Sequence, residues 1–161
     1  MNIRHATEKD LPVILEIYNE AIRTLTATLD NEEMDLEERE NWLKSHEDPF
    51  FVLVGEIDGN VVGYGSISPH SSKEGYRPTS NLSIYLKAEC RGRGYGARMM
   101  QALIDQAVDN GFHSVLSLIA SGNEASVYLH EQFGFEHRGT LKEVGWKFNR
   151  WLDVYYYQKN L

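Results

Sequence analysis

Arg91-Gly92-Arg93-Gly94-Tyr95-Gly96 is the stretch on which the fold of this chain turns. It stands between a short apolar run, Leu82 to Leu86, and a segment from Tyr95 to Asn110 with helical spacing through Met99, Leu103, Ile104 and Ala107. A strand, a glycine turn and a helix therefore follow one another. Three glycines let backbone approach a ligand closely. The turn also leaves unpaired N–H groups at a helix N-terminus, where the helix dipole favours an anion. Arg91, Arg93 and Arg98 crowd the same turn, and no carboxylate lies between positions 90 and 104. The chain carries 16 Lys plus Arg against 24 Asp plus Glu, a formal net charge of −8. A locally basic turn on so acidic a chain points to a polyanionic small molecule.

Outward from the turn, the pattern predicts a mixed α/β sheet, parallel at its centre and antiparallel elsewhere, with flanking helices. Leu11, Ile14, Leu15, Tyr18, Ile22 and Leu25 form one face of a helix, preceded by capping-box spacing at Thr7 and Asp10. A more polar helix is expected over Leu36 to Ser45, and the acidic stretch Asp30 to Glu40 reads as a solvated face. Phe50 to Ile57 and Val61 to Ser68 read as a hairpin about Asp58-Gly59. Val115 to Ala120 reads as a buried strand, Asn123 to Phe133 as a short helix, and Phe135 to Val144 and Trp151 to Gln158 as two last strands.

A length of 161 residues predicts one domain over 1–161, large enough for a core without disulfide or metal staples. The acidic balance argues against nucleic acid as a partner. One cysteine, Cys90, excludes an internal disulfide and a cysteine zinc cluster, and reads as buried filler. No metal-ligand spacing is present among the six histidines, so no metal is expected. Without a signal-like opening or a long apolar run, a cytoplasmic protein with no membrane segment is expected.

Three anion-binding motifs compete for the glycine turn, alongside a plain turn with solvated arginines. A Walker A loop would need Gly-Lys-Ser/Thr, which is absent. Gly92, Gly94 and Ala97 formally match the dinucleotide fingerprint G-x-G-x-x-A, but the next strand ends Leu118-Ile119-Ala120-Ser121 without the acid that motif expects. The third, Arg-x-x-Gly-x-Gly, resembles the pyrophosphate loop of the GNAT acetyltransferases. Asn123-Glu124-Ala125-Ser126, Leu129-His130 and Gly134-Phe135 resemble that superfamily's downstream helix. Glu16-Ile17-Tyr18-Asn19 with Thr26-Ala27-Thr28, Tyr76-Arg77-Pro78-Thr79, and Trp146-Lys147-Phe148 with Arg150-Trp151-Leu152-Asp153-Val154 are similar to its phosphinothricin acetyltransferase branch. The resemblance spans essentially the whole chain in order.

That resemblance implies a GNAT fold with splayed central strands, and acetyl-CoA as cosubstrate. It implies direct attack by the α-amine of a small amino-acid-like substrate such as phosphinothricin or methionine sulfoximine. Ile84, Tyr85 and Leu86 would offer backbone groups to the acetyl and pantetheine arm, with an N–H near Tyr85 receiving the oxyanion. Arg91, Gly92, Arg93, Gly94, Tyr95, Gly96 and Ala97 would hold the pyrophosphate, and Asn123 the pantetheine or substrate side. Tyr76, Arg77, Thr28 and Leu29 would face the substrate. Trp146 and Lys147 are expected near the site, supplied across a homodimer interface. His130 stands at a position suited to an acid or base. Asn81 stands where the branch commonly carries glutamate, and an amide accepts no proton as a base. A dinucleotide-dependent oxidoreductase and a silent CoA-binding module remain as alternatives.

Overall fold

Asp58 and Gly59 both take left-handed backbone, with φ of 51° and 77°, and this two-residue turn folds β2 (Phe51–Ile57) onto β3 (Asn60–Pro69). Such a turn carries the right-handed twist of the flanking strands, which is why Asp-Gly is selected there. The computed structural model describes residues 1–161 and extends this hairpin into a seven-stranded sheet. The remaining strands are β1 (Asn2–His5), β4 (Thr79–Leu86), β5 (Ser114–Ala120), β6 (Glu136–Lys147) and β7 (Arg150–Asn160), in the order β1-β2-β3-β4-β5-β7-β6.

Helices α1 (Leu11–Thr24) and α2 (Leu36–Lys44) cover one face; α3 (Tyr95–Asp109) and α4 (Glu124–Gln132) cover the other. Alternation along β2 serves both layers. Val52 and Val54 pack with Ile14 and Ile17 of α1, whereas Phe51 and Leu53 pack with Met99, Met100 and Leu103 of α3. Burial on both faces explains the unbroken apolar run Phe51 to Val54.

Only β4 and β5 run parallel, and they pair over just three positions: Thr79 with Ser114, Ser80 with Val115, and Asn81 with Leu116. Beyond Asn81, β4 stays with β3 as far as Leu86, and β5 stays with β7 as far as Ala120. The sheet therefore splits along its middle into a wedge whose apex is at Asn81 and Leu116. The expected parallel centre is present, reduced to this short seam. No helix is long and apolar enough to cross a membrane.

Strand β1 carries no strong strand signal, because its four residues alternate on the sheet edge. A salt bridge holds it. Arg4 donates from Nη1 and Nη2 to Asp10 at 2.8 Å each, and also reaches Glu56 at 2.6 Å. Asp10 further accepts from the Thr7 amide at 2.7 Å, completing the expected capping box. The Arg4 guanidinium holds the Asp10 carboxyl at about 2, below its ordinary 3.8. Depression in the folded state means the contribution is complete above about pH 4 and is lost as pH falls toward 2. We expect Asp10→Asn to cost about 1–2 kcal/mol at pH 7, with the Arg4 side chain 35% exposed. Urea unfolding at pH 7 and pH 2.5 checks this, since the difference between variant and parent should shrink in acid.

Candidate active site

The site is built on the split between β4 and β5. Lys87 donates its backbone N–H to the Val62 carbonyl, so Lys87, Tyr85 and Ser83 turn their backbone polar groups toward β3. By the same alternation Leu82, Ile84 and Leu86 turn theirs into the gap. Side-chain contacts agree: Ser117 Oγ sits 3.3 Å from the Leu82 carbonyl, and Arg91 Nε donates to the Leu86 carbonyl at 3.1 Å. The gap-facing N–H groups near Tyr85 are thus those of Ile84 and Leu86, and not its own. The gap-facing N–H groups of Ile84 and Leu86 and the Ile84 carbonyl, left without a partner strand, suit an extended amide-bearing chain.

At the wide end of the gap the glycine turn enters α3. Gly92 and Gly94 have φ of 73° and 79°, and Gly94 is the N-cap residue, with no side chain to occupy the first N–H groups. A Cβ at either position would meet nothing within 4 Å, so backbone conformation, not crowding, selects glycine there. Gly96 and Ala97 lie in the first turn of α3 behind them. The three arginines differ. Arg91 pairs with Glu20 of α1, and Arg98 donates to the Met1 carbonyl at 2.7 Å, so both are engaged within the chain. Arg93 is exposed beside the turn. The cradle is therefore chiefly backbone, and it fits a pyrophosphate.

On the α1–α2 side, same-face residues of β3 and β4 line a cavity of about 640 Å³. Tyr64, Ser66 and Ser68 contribute from β3, Ser83 and Tyr85 from β4, and Tyr18, Asp30, Arg39 and Trp42 close it from above. Tyr85 stacks on Tyr64 with centroids 5.4 Å apart and donates to the Ala27 carbonyl at 3.3 Å. Tyr18 donates to Asp30, and burial raises its phenol above the ordinary value. Ser68 Oγ lies 2.8 Å from His46 Nε2, and the other ring nitrogen of His46 donates to the Trp42 carbonyl.

At the rim of this cavity is Asn81, paired across the ladder with Ser68 and two residues before Ser83 on the same face. Its Oδ1 lies 3.1 Å from His70 Nδ1. A carbonyl oxygen only accepts, so Nδ1 is the donor in this contact, and in the neutral ring Nε2 carries the lone pair. The ring also meets Tyr76 edge-on at 5.3 Å.

His130 is buried at 5% exposure on α4. It donates from Nδ1 to the Ser126 carbonyl at 2.7 Å and accepts at Nε2 from Ser117, 2.9 Å away. Burial holds its pKa below the usual imidazole range, so the ring is neutral at pH 7. Ser117 is the first β5 residue past the apex, and through it His130 reaches the gap. Asn123 caps α4, accepting from the Ser126 amide at 3.3 Å.

Several expectations need correction. The stretch Asp30 to Glu40 is only in part a solvated helix: most of it is exposed, but α2 starts at Leu36, Asp30 faces the cavity, and Arg39 is 2% exposed. Tyr76 and Arg77 are exposed on a short turn and do not line the cavity. Thr28 is buried against the Tyr18 hydroxyl. Leu29 instead packs on Gly145 and lines a second, apolar pocket with Leu118, Leu141 and Tyr156. Lys147 is not offered to a neighbour. It is buried in its own chain, donating to the carbonyls of Leu25 at 2.5 Å and Thr28 at 2.8 Å. Trp146 meets Trp151 edge to face at 4.9 Å and stays exposed. Cys90 is buried, as expected.

The acetyltransferase (GNAT) domain family matches residues 3–156, nearly the whole chain. The chain belongs to the GNAT acetyltransferase family. As a GNAT N-acetyltransferase it is 39% identical to an L-methionine sulfoximine/L-methionine sulfone acetyltransferase of Pseudomonas paraeruginosa, over 99% of this chain and 94% of that protein. It is 36% identical to a phosphinothricin N-acetyltransferase of Streptomyces coelicolor, covering 100% and 96%. Among solved structures, a ribosomal-protein-alanine N-acetyltransferase from Brucella melitensis superposes with a TM-score of 0.97 at 46% identity, each chain fully covered. A putative acetyltransferase from Salmonella typhimurium, solved with its cofactor acetyl-CoA, gives 0.97 at 36% identity, covering 100% and 94%. Family membership removes the oxidoreductase alternative and explains the wedge and the glycine turn together.

Proposed function

We propose that this GNAT enzyme acetylates the α-amine of a small free amino acid of the methionine sulfone, methionine sulfoximine or phosphinothricin type, by direct attack on acetyl-CoA. The observation that carries the reading is the junction of two spaces at one strand. Alternate backbone groups of β4 face the β5 gap, while its side chains Ser83 and Tyr85 face the cavity on the α1–α2 side, with Asn81 at the rim. A thioester in the gap and an amine in the cavity then meet across β4.

Acetyl-CoA supplies the activated acetyl group. Gly92 to Ala97 hold its pyrophosphate, and the gap-facing backbone of Ile84 and the Leu86 N–H lie along its pantetheine arm with the Asn123 amide nearby. The bound ammonium gives one proton to His70 Nε2, and the amine forms the new C–N bond. The oxyanion is held by the Ile84 or Leu86 N–H, a donor worth roughly 3–4 kcal/mol in other enzymes. The C–S bond breaks, and the second amine proton ends on the departing thiolate. Asn81 is a positioning residue that keeps the His70 lone pair available. Neutral His130 positions Ser117 at the apex.

Thiol release from acetyl-CoA tests this against methionine sulfone, methionine sulfoximine, phosphinothricin and a peptide beginning with alanine. We expect turnover on the free amino acids. His70→Gln should lower kcat/KM by about 100-fold, the loss typical of a general base. CoA binding without turnover on any of these amines would overturn the reading.

A further inference from the structure

Three buried side-chain polar atoms in the whole chain lack a hydrogen-bond partner: Arg39 Nε, Tyr64 Oη and Ser80 Oγ. Two of these belong to residues lining the same cavity. Arg39 is 2% exposed and has no carboxylate partner; its one hydrogen-bonded neighbour is the Met34 sulfur at 3.2 Å, a weak acceptor. A charged guanidinium is among the costliest groups to bury without a counter-ion. Its plane is clamped between aromatic rings, with Cζ 4.1 Å from the Tyr18 centroid and 4.5 Å from that of Trp42. Stacking offsets part of the cost and fixes the fork, but it satisfies none of the N–H donors.

We propose that Arg39, with the Tyr64 hydroxyl beside it, is the receptor for the α-carboxylate of the substrate. A planar fork held edge-free matches a carboxylate bidentately. The exposed Arg77, which the sequence offers for this task, lies outside the cavity. Asp30 and Glu38 share the lining; Asp30 takes the Tyr18 hydroxyl and Glu38 caps α2 through the Asp35 amide. One cation beside carboxylates suits a zwitterion better than a simple anion. The inference rests on the function proposed above for the identity of the ligand, and it excludes peptides, whose first residue has no free carboxylate.

Calorimetry on the CoA-saturated protein measures binding of methionine sulfone and of its carboxamide, in which the charge is gone. We expect Arg39→Lys, which keeps the charge but loses the fork, to weaken the amino acid about tenfold or more and to leave the carboxamide unchanged. Tyr64→Phe removes one hydroxyl from a well-packed ring, so it keeps the test sound should Arg39→Lys unfold. It should weaken the amino acid several-fold, again without effect on the carboxamide. Equal weakening of both ligands, unchanged binding of the amino acid, or preference for the alanine peptide would overturn the assignment. Amino-acid binding that depends on Arg39 without acetyl transfer would instead sink the proposed reaction and leave the receptor standing.

Discussion

A Gly94→Val variant should bind CoA about 100-fold more weakly than the parent while remaining folded. Gly94 holds φ at 79° as the N-cap residue of α3, a region that costs an L-residue about 1–2 kcal/mol and a β-branched one more. Since no atom lies within 4 Å of the added Cβ, the variant has room to relieve that cost by changing its backbone. Relief turns the N–H groups of Tyr95 and Gly96 away from their common focus, and the anion loses its cradle. A loss of about 2–3 kcal/mol corresponds to the stated factor. Calorimetric titration with CoA reads it directly. Gly139→Val is the control, because Gly139 has open space and no left-handed backbone. Equal CoA affinity in Gly94→Val and parent would show that the turn is not the anion site.

Lys147→Met should be the most destabilising of the changes considered, by about 3–5 kcal/mol. The side chain is 2% exposed, and its ammonium donates to carbonyls of Ala21, Leu25 and Thr28 at the end of α1 and in the segment after it. A cation there also meets the negative end of the helix dipole. Burial pushes the Lys147 pKa below the ordinary lysine value. The Ala21 carbonyl also accepts the Leu25 N–H, but those of Leu25 and Thr28 take no other hydrogen bond. Methionine fills the volume and leaves them unsatisfied, at about 1–3 kcal/mol for a lost buried partner. Thr28 is hydrogen-bonded to Tyr18 and to the Asp30 amide, and those two line the cavity, so KM for the amine should rise in the same variant while CoA affinity holds. Urea unfolding and steady-state kinetics test both parts. A stability loss below about 1 kcal/mol would make Lys147 a bystander.

Most elements were legible because local chemistry and tertiary packing agree. Asp58-Gly59, the α3 spacing and the buried run Val115 to Ala120 each carry their own signal, and the strand–glycine–helix unit is present as read. The failures have physical causes. The hairpin joining β6 and β7 turns on Phe148 and Asn149, both left-handed at φ 51° and 58°, with no glycine to announce it. Both strands consequently run further toward the turn than their polarity suggests. Arg39 sits on a helix of charged residues and reads as solvated; only the rings of Tyr18 and Trp42, brought from elsewhere, bury it. His70 follows a proline at a strand end, and nothing local ties it to Asn81 eleven residues later. The polar alternation Tyr64, Ser66, Ser68 on an otherwise buried strand was the one local sign of a cavity on that face.

The three-residue seam between β4 and β5 makes this architecture two half-sheets joined at a corner. Each half is laddered internally, whereas the line between them is open just where backbone groups lack partners. A molecule lying in that line acts as the missing strand. Its binding energy therefore adds to the cohesion of the whole fold, by RT ln(1 + [L]/Kd) for a ligand that the unfolded chain ignores. A cosubstrate bound along that line would couple the stability of the enzyme to the supply of the compound it consumes.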